Sequence, residues 1–430
     1  MYNLNHKMKK VILTLSMILA LLCSSVSAQE MGFEEYNPKS TLVVPENPVS
    51  SAKFPFIDVH SHQRDMSAGA LTKLIFDMDK LNEGIMVNLS GGSGSSLNEK
   101  IESIKKNHPN RFVVFANVDF DGVGKEGWSE KAATQLEKDI KNGAKGLKIY
   151  KSLGLRYKDT DGNRVAIDDP RLDAIWAKCG ELGVPVLIHA ADPKSFWDPM
   201  DGDNERWLEL KTHSRRKRSA TDPAPWEQII EEQHRMFKKH PKTKFINAHM
   251  GWYANNLGKL GELLDEIPNM NVGIAAVIAE LGRQPQNGKA FFIKYQDRIL
   301  FGKDSWKPEE FPTYFRVLET ADEYFPYYKK YHAFWAMYGL DLPDDVLKKP
   351  KTLHGFATLE MRQKEDIADR HLRQLSRSKD LASVMFDVPN LERCIRAPQA
   401  AISHSLTFSE GLLWWLEKMQ VTPADVRRNA

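Results

Sequence analysis

The chain alternates β-rich runs with amphipathic helical patterns from Pro55 onward. Successive runs are spaced by roughly 25 to 40 residues, the interval expected for repeated strand–helix units. The eight runs are residues 56–60, 84–89, 111–119, 146–150, 185–189, 244–249, 272–277 and 299–302. Seven helical patterns separate them, among them "LTKLIFDMDKL" and "WEQIIEEQHRMFKKH". This alternation predicts an α/β fold, a closed (β/α)8 or TIM barrel, rather than an open doubly wound sheet.

The first 28 residues differ in composition from the rest of the chain. Three lysines precede an apolar run over residues 11–22, and small residues follow it. This order predicts a secretory signal peptide over residues 1–28, with Gln29 as the mature start, and therefore a periplasmic or secreted protein. After removal of that peptide, no segment approaches the ~20 apolar residues that a membrane span needs.

The remaining chain divides into three predicted parts. Residues 29–53 are expected to form an extended N-terminal arm, and residues 54–349 the barrel. Residues 350–430 do not continue the alternation and contain mainly helical patterns such as "EDIADRHLRQLSRS". We interpret this tail as either a small helical appendage or the product of a frameshift near Lys349.

The charge of the chain argues against a nucleic-acid or membrane partner. The formal net charge is +3, and the predicted signal peptide carries three lysines and no acid, so its removal leaves zero. A neutral chain has no electrostatic preference for polyanions, which leaves a small molecule as the expected partner. The run "RRKR" at residues 215–218 is expected to lie in a solvated loop. The sequence leaves the oligomeric state open, a homo-oligomer included.

Polar side chains collect at the ends of the predicted strands. They are His60, His62, Lys148, His189, His249 and Asp304. In a parallel barrel the carboxyl ends of all strands meet at one rim, where active sites lie. Neutral imidazoles and a carboxylate are ligands that Zn²⁺ and similar first-row ions accept. A lone histidine at a strand end is more often structural, but four histidines and an aspartate at matching ends predict a metal site.

Five phrases of the sequence resemble a known family. In order they are "IDVHSH", "GLKIYKSLG", "VPVLIHAADP", "FINAHMGW" and "RILFGKDS". They resemble the metal-dependent hydrolases of the amidohydrolase superfamily, and above all its amidohydrolase 2 branch, which holds hydrolases, lactonases and non-oxidative decarboxylases. The resemblance implies that the metal ligands are His60, His62, His189 and Asp304. It also implies that His249 is either a catalytic histidine or a ligand of a second metal.

The resemblance further implies how the metal is used. A divalent cation lowers the pKa of bound water from about 16 toward 7, and Asp304 would take the proton and pass it to the leaving group. Some relatives carry a carboxylated lysine at the position of Lys148 that bridges two cations, whereas the amidohydrolase 2 branch generally uses one. We therefore expect one divalent ion, Zn²⁺ first and Mn²⁺ or another first-row ion as the alternative. Two ions bridged by carboxylated Lys148 are the second case; otherwise the Lys148 ammonium would pair with an anionic substrate group.

Two arginines are candidate substrate-binding residues. A guanidinium binds a carboxylate through two parallel hydrogen bonds, which suits Arg64 and Arg283. Each could equally form a structural ion pair, Arg64 with Asp65 and Arg283 with Glu280.

The sequence thus predicts an exported, metal-dependent hydrolase that uses metal-activated water on a small ester, lactone or amide. The substrate is expected to carry a carboxylate or a sugar-like part. Two alternatives stay open: a metal-dependent non-oxidative decarboxylase, and a metal- or sugar-binding barrel without turnover.

Overall fold

The computed structural model describes residues 31–32, 35, 38–329, 332 and 335–348. The predicted signal peptide and the tail at residues 350–430 lie outside these residues. The chain divides into two compact units, residues 1–43 and 44–430. The described residues of the first unit form neither helix nor strand, and in it the Leu42 N–H donates to Ser40 Oγ at 3.1 Å.

Eight parallel strands form the centre of the second unit. They are Phe56–Ser61, Glu83–Asn88, Phe112–Val114 with its continuation Ala116–Asn117, Leu147–Ile149, Val186–Ile188, Phe245–Asn247, Met270–Gly273 and Ile299–Leu300. The third strand is in two pieces because Phe112–Val114 pairs with the second strand and Ala116–Asn117 with the fourth. Each of the other strands pairs in parallel with the next.

The eighth strand returns to the first and closes the sheet. The Val59 N–H donates to the Phe301 carbonyl at 3.0 Å, and the Asp304 N–H to the His60 carbonyl at 2.7 Å. The predicted (β/α)8 barrel is therefore confirmed. Closure also brings the residue that follows the last strand next to the histidines of the first.

A helix follows every strand. These helices are Ala68–Leu81, Gly94–Asn107, Trp128–Asn142, Asp173–Glu181, Trp226–Lys239, Leu257–Glu266, Pro285–Tyr295 and Phe311–Glu319. The helix after the eighth strand was not among the seven predicted patterns. Shorter elements lie in the connections: helices Ser152–Leu155, Trp207–Thr212, Ile278–Gly282 and Asp344–Lys348, several 3-10 turns, and the antiparallel strands Phe325–Pro326 and Ala336–Met337. No helix among the described residues has the length and apolar character to cross a membrane.

The apolar core has two layers, as the period of a strand requires. The smaller layer contains strand residues and their immediate neighbours only, such as Ile57, Val87 and Leu300, and fills the inside of the barrel. The larger layer joins the opposite faces of the strands to the helices, for example Leu147 and Trp176. Because the inside is packed, the polar strand-end residues are confined to the rim.

Every predicted strand except the first extended past its observed carboxyl end, the seventh most of all. The sixth ends at Asn247 rather than at residue 249, and His249 lies in the turn Ala248–Trp252. The seventh is Met270–Gly273 rather than residues 272–277. Apolar residues beyond the ladder, such as Val277, are buried by loop packing, which a hydrophobic run in the sequence does not distinguish from a strand.

The long connection of residues 190–225 is held to the barrel by ion pairs. The Asp192 carboxylate is buried, accepts from Arg218 at 2.9 Å and also pairs with Lys151. Within the connection, Arg216 pairs with the buried Glu209. The expectation that "RRKR" is a solvated loop was wrong for Arg218, because its side chain is only 17% exposed and pairs with the buried Asp192. Arg216 is 42% exposed and pairs with Glu209.

Residues 44–53 form no helix or strand but contact the barrel. The Asn47 side-chain amide donates to Asp322 at 2.7 Å, and the Ala52 N–H donates to the Leu81 carbonyl at 3.1 Å. The boundaries of the predicted arm and barrel stay predictions.

Candidate metal centre

His60, His62 and Asp304 converge at the carboxyl end of the first and eighth strands. His60 Nε2 and His62 Nε2 each lie 3.6 Å from Asp304 Oδ1. The ligand atoms that the three residues offer all lie within 4.8 Å of one another. Donor atoms bound tetrahedrally at about 2.1 Å from one ion are themselves about 3.4 Å apart. The spacing therefore suits a single shared ion.

The other three strand-end residues lie against this group. His189 Nδ1 is 3.2 Å from His249 Nε2, and the His249 ring centre is 5.1 Å from that of His60. Lys148 Nζ lies 3.4 Å from His60 Nε2. The structure thus brings all six predicted residues into one cluster, although His189 is not among the three that offer mutually adjacent ligand atoms.

The backbone is left-handed at two residues to which the sequence assigned catalytic roles. Asp304 has φ 79°, and His249 has φ 58° in a turn where Met250 and Trp252 are also left-handed. Such a conformation costs roughly 1–2 kcal/mol per non-glycine residue, and strain of this kind collects at functional sites. A side chain at Gly251 would meet the Asn247 amide at 2.5 Å, so this turn requires glycine there.

The left-handed turn places the His249 ring between two fixed partners. His249 Nδ1 donates to the Ala275 carbonyl at 2.7 Å, so Nε2 carries the lone pair and faces the site. The Trp252 indole stacks on the imidazole at 4.6 Å and donates to the Ala190 carbonyl at 2.9 Å. The orientation of His249 is therefore set by packing and by a backbone acceptor.

Burial controls the protonation of the cluster. It lowers the pKa of His60 and of His189 well below 6.5, with further contributions from Lys148 and His249 respectively. Burial likewise lowers the pKa of His62 and of His249 to about 4. The imidazoles are thus neutral at pH 7, which is the form that binds a metal.

Burial also lowers the pKa of Lys148 to about 7, with the Asp304 carboxylate opposing the shift. Burial therefore disfavours the ammonium form of Lys148 relative to an exposed lysine.

The donor set fits a divalent cation. At 3.6 Å the contacts of Asp304 with His60 and His62 are too long for hydrogen bonds. His189 Nε2 is buried and has no hydrogen-bond partner among the described residues. Buried polar atoms normally have partners, and a cation would supply one to atoms with lone pairs.

The Asp58 carboxylate links the backbones of the first strand and of the segment after the eighth strand, which carry the converging residues. Its Oδ1 accepts the His60 N–H at 2.8 Å and the Lys303 N–H at 3.1 Å. Burial raises the pKa of this carboxyl to about 7, against these backbone hydrogen bonds. Asp58 was not among the predicted site residues, although an acidic residue inside the apolar run "FIDVH" is a signal for such a role.

The two candidate substrate arginines are placed differently. Arg64 is exposed beyond the first strand. Arg283 donates to Glu205 at 3.0 Å, and its guanidinium lies over the Trp335 ring at 3.6 Å. The predicted pair of Arg283 with Glu280 was wrong, because the buried Arg206 takes Glu280.

A cavity of about 400 Å³ is lined by Trp252 but by none of the six clustered strand-end residues. It is bounded by the first part of the long connection and by the loops after the sixth and seventh strands. Trp252, which stacks on His249, is one of its walls. The lining includes Lys194, Asp198, Asp201, Arg206 and Glu280.

A protein-family model described as amidohydrolase matches residues 98–350, more than half of the chain. The chain belongs to this amidohydrolase family. His60 and His62 precede the matched segment, and Asp304 lies within it. No curated protein matches the chain.

Several solved structures resemble the chain in fold. An uncharacterized TIM-barrel protein from Bordetella bronchiseptica is 16% identical, with 72% of this chain and 99% of that chain covered and a TM-score of 0.42. A 2,6-dihydroxybenzoate decarboxylase from Rhizobium is 14% identical, with 73% and 99% covered and a TM-score of 0.44. A dihydroxybenzoic acid decarboxylase from Polaromonas sp. JS666, solved with manganese and 2-nitroresorcinol, is 15% identical, with 73% and 98% covered and a TM-score of 0.44. Likenesses at this level carry nothing about the reaction.

Proposed function

We propose that the chain is a metal-dependent hydrolase of a small ester, lactone or amide. The observation that carries the proposal is the convergence of His60, His62 and Asp304, at 3.6 Å, on one point of the barrel rim. Their neutral imidazoles and carboxylate form a donor set for one first-row divalent ion, with Zn²⁺ as the first choice.

His60, His62 and Asp304 would hold this ion, and His189 Nε2, which has no partner among the described residues, would be its fourth ligand, with His249 beside them. Bound there, a divalent ion would supply Lewis acidity, which lowers the pKa of water and polarises a carbonyl. We propose one ion rather than two, because the ligand atoms of His60, His62 and Asp304 converge on a single point.

Asp304 is suited to move the proton. Its carboxylate is 33% exposed, whereas the His60 side chain is 1% exposed, so Asp304 reaches both the buried ligand atoms and the substrate side. Its backbone is fixed by the hydrogen bond to the His60 carbonyl. A carboxylate held in this way can accept a proton from the attacking water and return it to the leaving group.

His249 is suited to orient the substrate. Because Nδ1 donates to the Ala275 carbonyl, Nε2 presents a lone pair to the site at neutral pH. That lone pair lies 3.2 Å from His189 Nδ1, which therefore donates to it, and it could accept a hydrogen bond from the attacking water or the leaving group only in place of His189.

The cavity beside Trp252 suits the hydroxylated, sugar-like part of a substrate. Its two cations already have partners, since Lys194 pairs with Asp198 at 2.6 Å and Arg206 pairs with Glu280. A carboxylate placed there would meet mainly carboxylates and lose its hydration. A substrate carboxylate would therefore be left to Lys148 or to the exposed Arg64.

We also propose that the protein is exported. The support is the order of lysines, apolar run and small residues over residues 1–28. Sequencing the N-terminus of the mature protein tests this proposal, with Gln29 as the expected first residue.

The hydrolase proposal is tested by metal analysis combined with a substrate panel. The protein, purified without a histidine tag, is expected to hold about one divalent ion, and chelation followed by Zn²⁺ or Mn²⁺ should remove and restore hydrolysis of esters, lactones or amides. Release of carbon dioxide from aromatic or enoic acids without hydrolysis would identify a decarboxylase instead. A protein that binds metal but turns over no member of either panel would contradict both.

A further inference from the structure

Three hydrogen-bonding groups follow one another behind His62. His62 Nδ1 lies 3.0 Å from Ser90 Oγ, and Ser90 Oγ lies 3.1 Å from the Tyr150 hydroxyl. The Tyr150 hydroxyl lies 3.0 Å from the Leu89 carbonyl. We name this chain of contacts, from His62 through Ser90 and Tyr150 to Leu89, the His62 relay. It joins the ends of the first, second and fourth strands.

The carbonyl at one end of the relay determines where the protons lie. A carbonyl oxygen only accepts, so the Tyr150 hydroxyl donates to Leu89. The Tyr150 oxygen then accepts from the Ser90 hydroxyl, and Ser90 Oγ accepts from His62 Nδ1–H. This assignment satisfies all three contacts, and it leaves His62 Nε2 with a lone pair.

We propose that Ser90 and Tyr150 are positioning residues that keep the His62 proton on Nδ1 and so prepare Nε2 as a metal ligand. The inference rests on the metal site of the proposed function. Hydrogen bonds behind a ligating histidine fix its tautomer and ring orientation in this way.

The other tautomer of His62 competes with the one that the relay favours, which makes the proposal testable. With the proton on Nε2, His62 would point an N–H at the Asp304 carboxylate, whose Oδ1 is 3.6 Å away. A small shift would turn that contact into a hydrogen bond, and an ion could bind only after the proton had left. Tyr150 opposes this state through Ser90, because loss of the phenol oxygen would free the Ser90 proton to donate to Nδ1.

The test compares Tyr150→Phe, Ser90→Ala and the double variant in the full-length, metal-free protein. Zn²⁺ affinity is measured by competition with a chromophoric chelator. We expect each single variant to lose about 10- to 100-fold in affinity, the usual effect of removing such a partner. The double variant should bind like Ser90→Ala, since the Tyr150 hydroxyl acts on His62 only through Ser90, and the ring contact with His62 is kept in phenylalanine. Equal losses from Tyr150→Phe with and without Ser90 would overturn the relay.

The control is Tyr295→Phe, which removes a hydroxyl bonded to Asp265 at 3.0 Å, on a helix outside the barrel. It should leave Zn²⁺ affinity unchanged. Nitrogen NMR of labelled histidines in the metal-free protein gives a second readout: His62 should carry its proton on Nδ1 in the parent chain and on Nε2 in Tyr150→Phe. If the parent binds no Zn²⁺, the metal site fails; if it binds and Tyr150→Phe matches it, only the relay fails.

Discussion

Two polar clusters of this barrel differ in how their buried groups are paired. In the metal centre, His60, His62 and Asp304 bring lone pairs together with distances of 3.6 Å and no hydrogen bond between them. In a second group, which we call the ionic cluster, Glu209 and Glu280 are paired with arginines. Its members are Arg206, Glu209, Arg216, Glu280 and His332.

The ionic cluster is balanced within itself. Arg206 donates to Glu209 at 2.7 Å and also pairs with Glu280, and His332 lies 3.2 Å from Glu209. The side chains of Arg206, Glu209 and Glu280 are each less than 10% exposed. Opposite charges in contact compensate the loss of water, whereas converging acceptors do not. The comparison indicates that the ionic cluster stabilises the long connection and that the metal centre is the place for chemistry.

The largest expected effect is a loss of turnover when the metal centre, but not the ionic cluster, is changed. Asp304→Asn keeps the size of the side chain and removes its charge, and we expect turnover to fall about 100- to 10,000-fold, the range for loss of a general base. The free energy of unfolding of the metal-free protein should change little. A variant that keeps full metal-dependent turnover would remove Asp304 from the proposed mechanism.

The next largest effect is a loss of stability when the ionic cluster, but not the metal centre, is changed. Glu209→Gln leaves Arg206 buried beside one carboxylate fewer, and breaking a buried pair costs about 3–5 kcal/mol. We expect a loss of this size in urea denaturation, with kcat of the remaining folded protein unchanged. Glu262→Gln, which removes only an exposed pair with Lys259, is the matched control and should cost less than about 1 kcal/mol. A large fall in kcat for Glu209→Gln without a loss of stability would contradict the division.

A third prediction separates the clusters by pH in the metal-free protein. Burial lowers the pKa of His62 and of His249 from 6.5 to about 4 in the folded state. As the pH falls from 6.5 toward 4, the unfolded chain therefore takes up protons that the folded chain does not, and the free energy of unfolding decreases.

Glu209 responds in a lower window. Burial alone would raise its pKa, but the hydrogen bond from His332 and the charge of Arg206 lower it from 4.5 to about 2. Its stabilisation is present above pH 4.5 and is lost as the pH falls toward 2. The free energy of unfolding is measured by denaturation from pH 8 to 3 in the presence of chelator. His62→Asn should weaken its pH dependence between pH 6.5 and 4, and Glu209→Gln should weaken it below pH 4.5. Exchanged effects would disprove the assignment.

The smallest effect concerns the two arginines. Arg283→Ala removes an ion pair and a contact with the Trp335 ring, and we expect about 1 kcal/mol less stability with unchanged KM. Arg64 is exposed, so we expect Arg64→Ala to leave stability unchanged. Its KM for carboxylate-bearing substrates should rise, and an unchanged KM would remove Arg64 from substrate binding. A rise in KM for Arg283→Ala would restore it as a substrate residue.

The fold could be predicted because strand and helix periods are local. The eight runs and the intervals between them are read directly from alternating apolar residues, and the polar residues that end the runs fall on one rim of any parallel barrel. Where runs are apolar beyond the ladder, as at Val277, the same signal misplaced the strand ends.

The contacts of the site were harder to predict. Asp58, Ser90, Tyr150 and Trp252 act through hydrogen bonds and stacking between different strands. No local pattern marks such contacts, because the partners are far apart in the chain. The pairing of Arg283 was mistaken for the same reason, since Glu205 is distant in sequence and Glu280 is near.

The sequence by itself determined the alternation of elements, and with it the barrel and the residue types at its rim, because both depend on side chains a few positions apart. Only the tertiary structure decided which atoms face each other. The spacing of His60, His62 and Asp304, the left-handed backbone at Asp304 and His249, and the balance of the ionic cluster all depend on barrel closure and on loops packed across it. Differences of a few tenths of an ångström distinguish hydrogen-bonded groups from groups spaced as metal ligands. The packing of the whole molecule determines these distances.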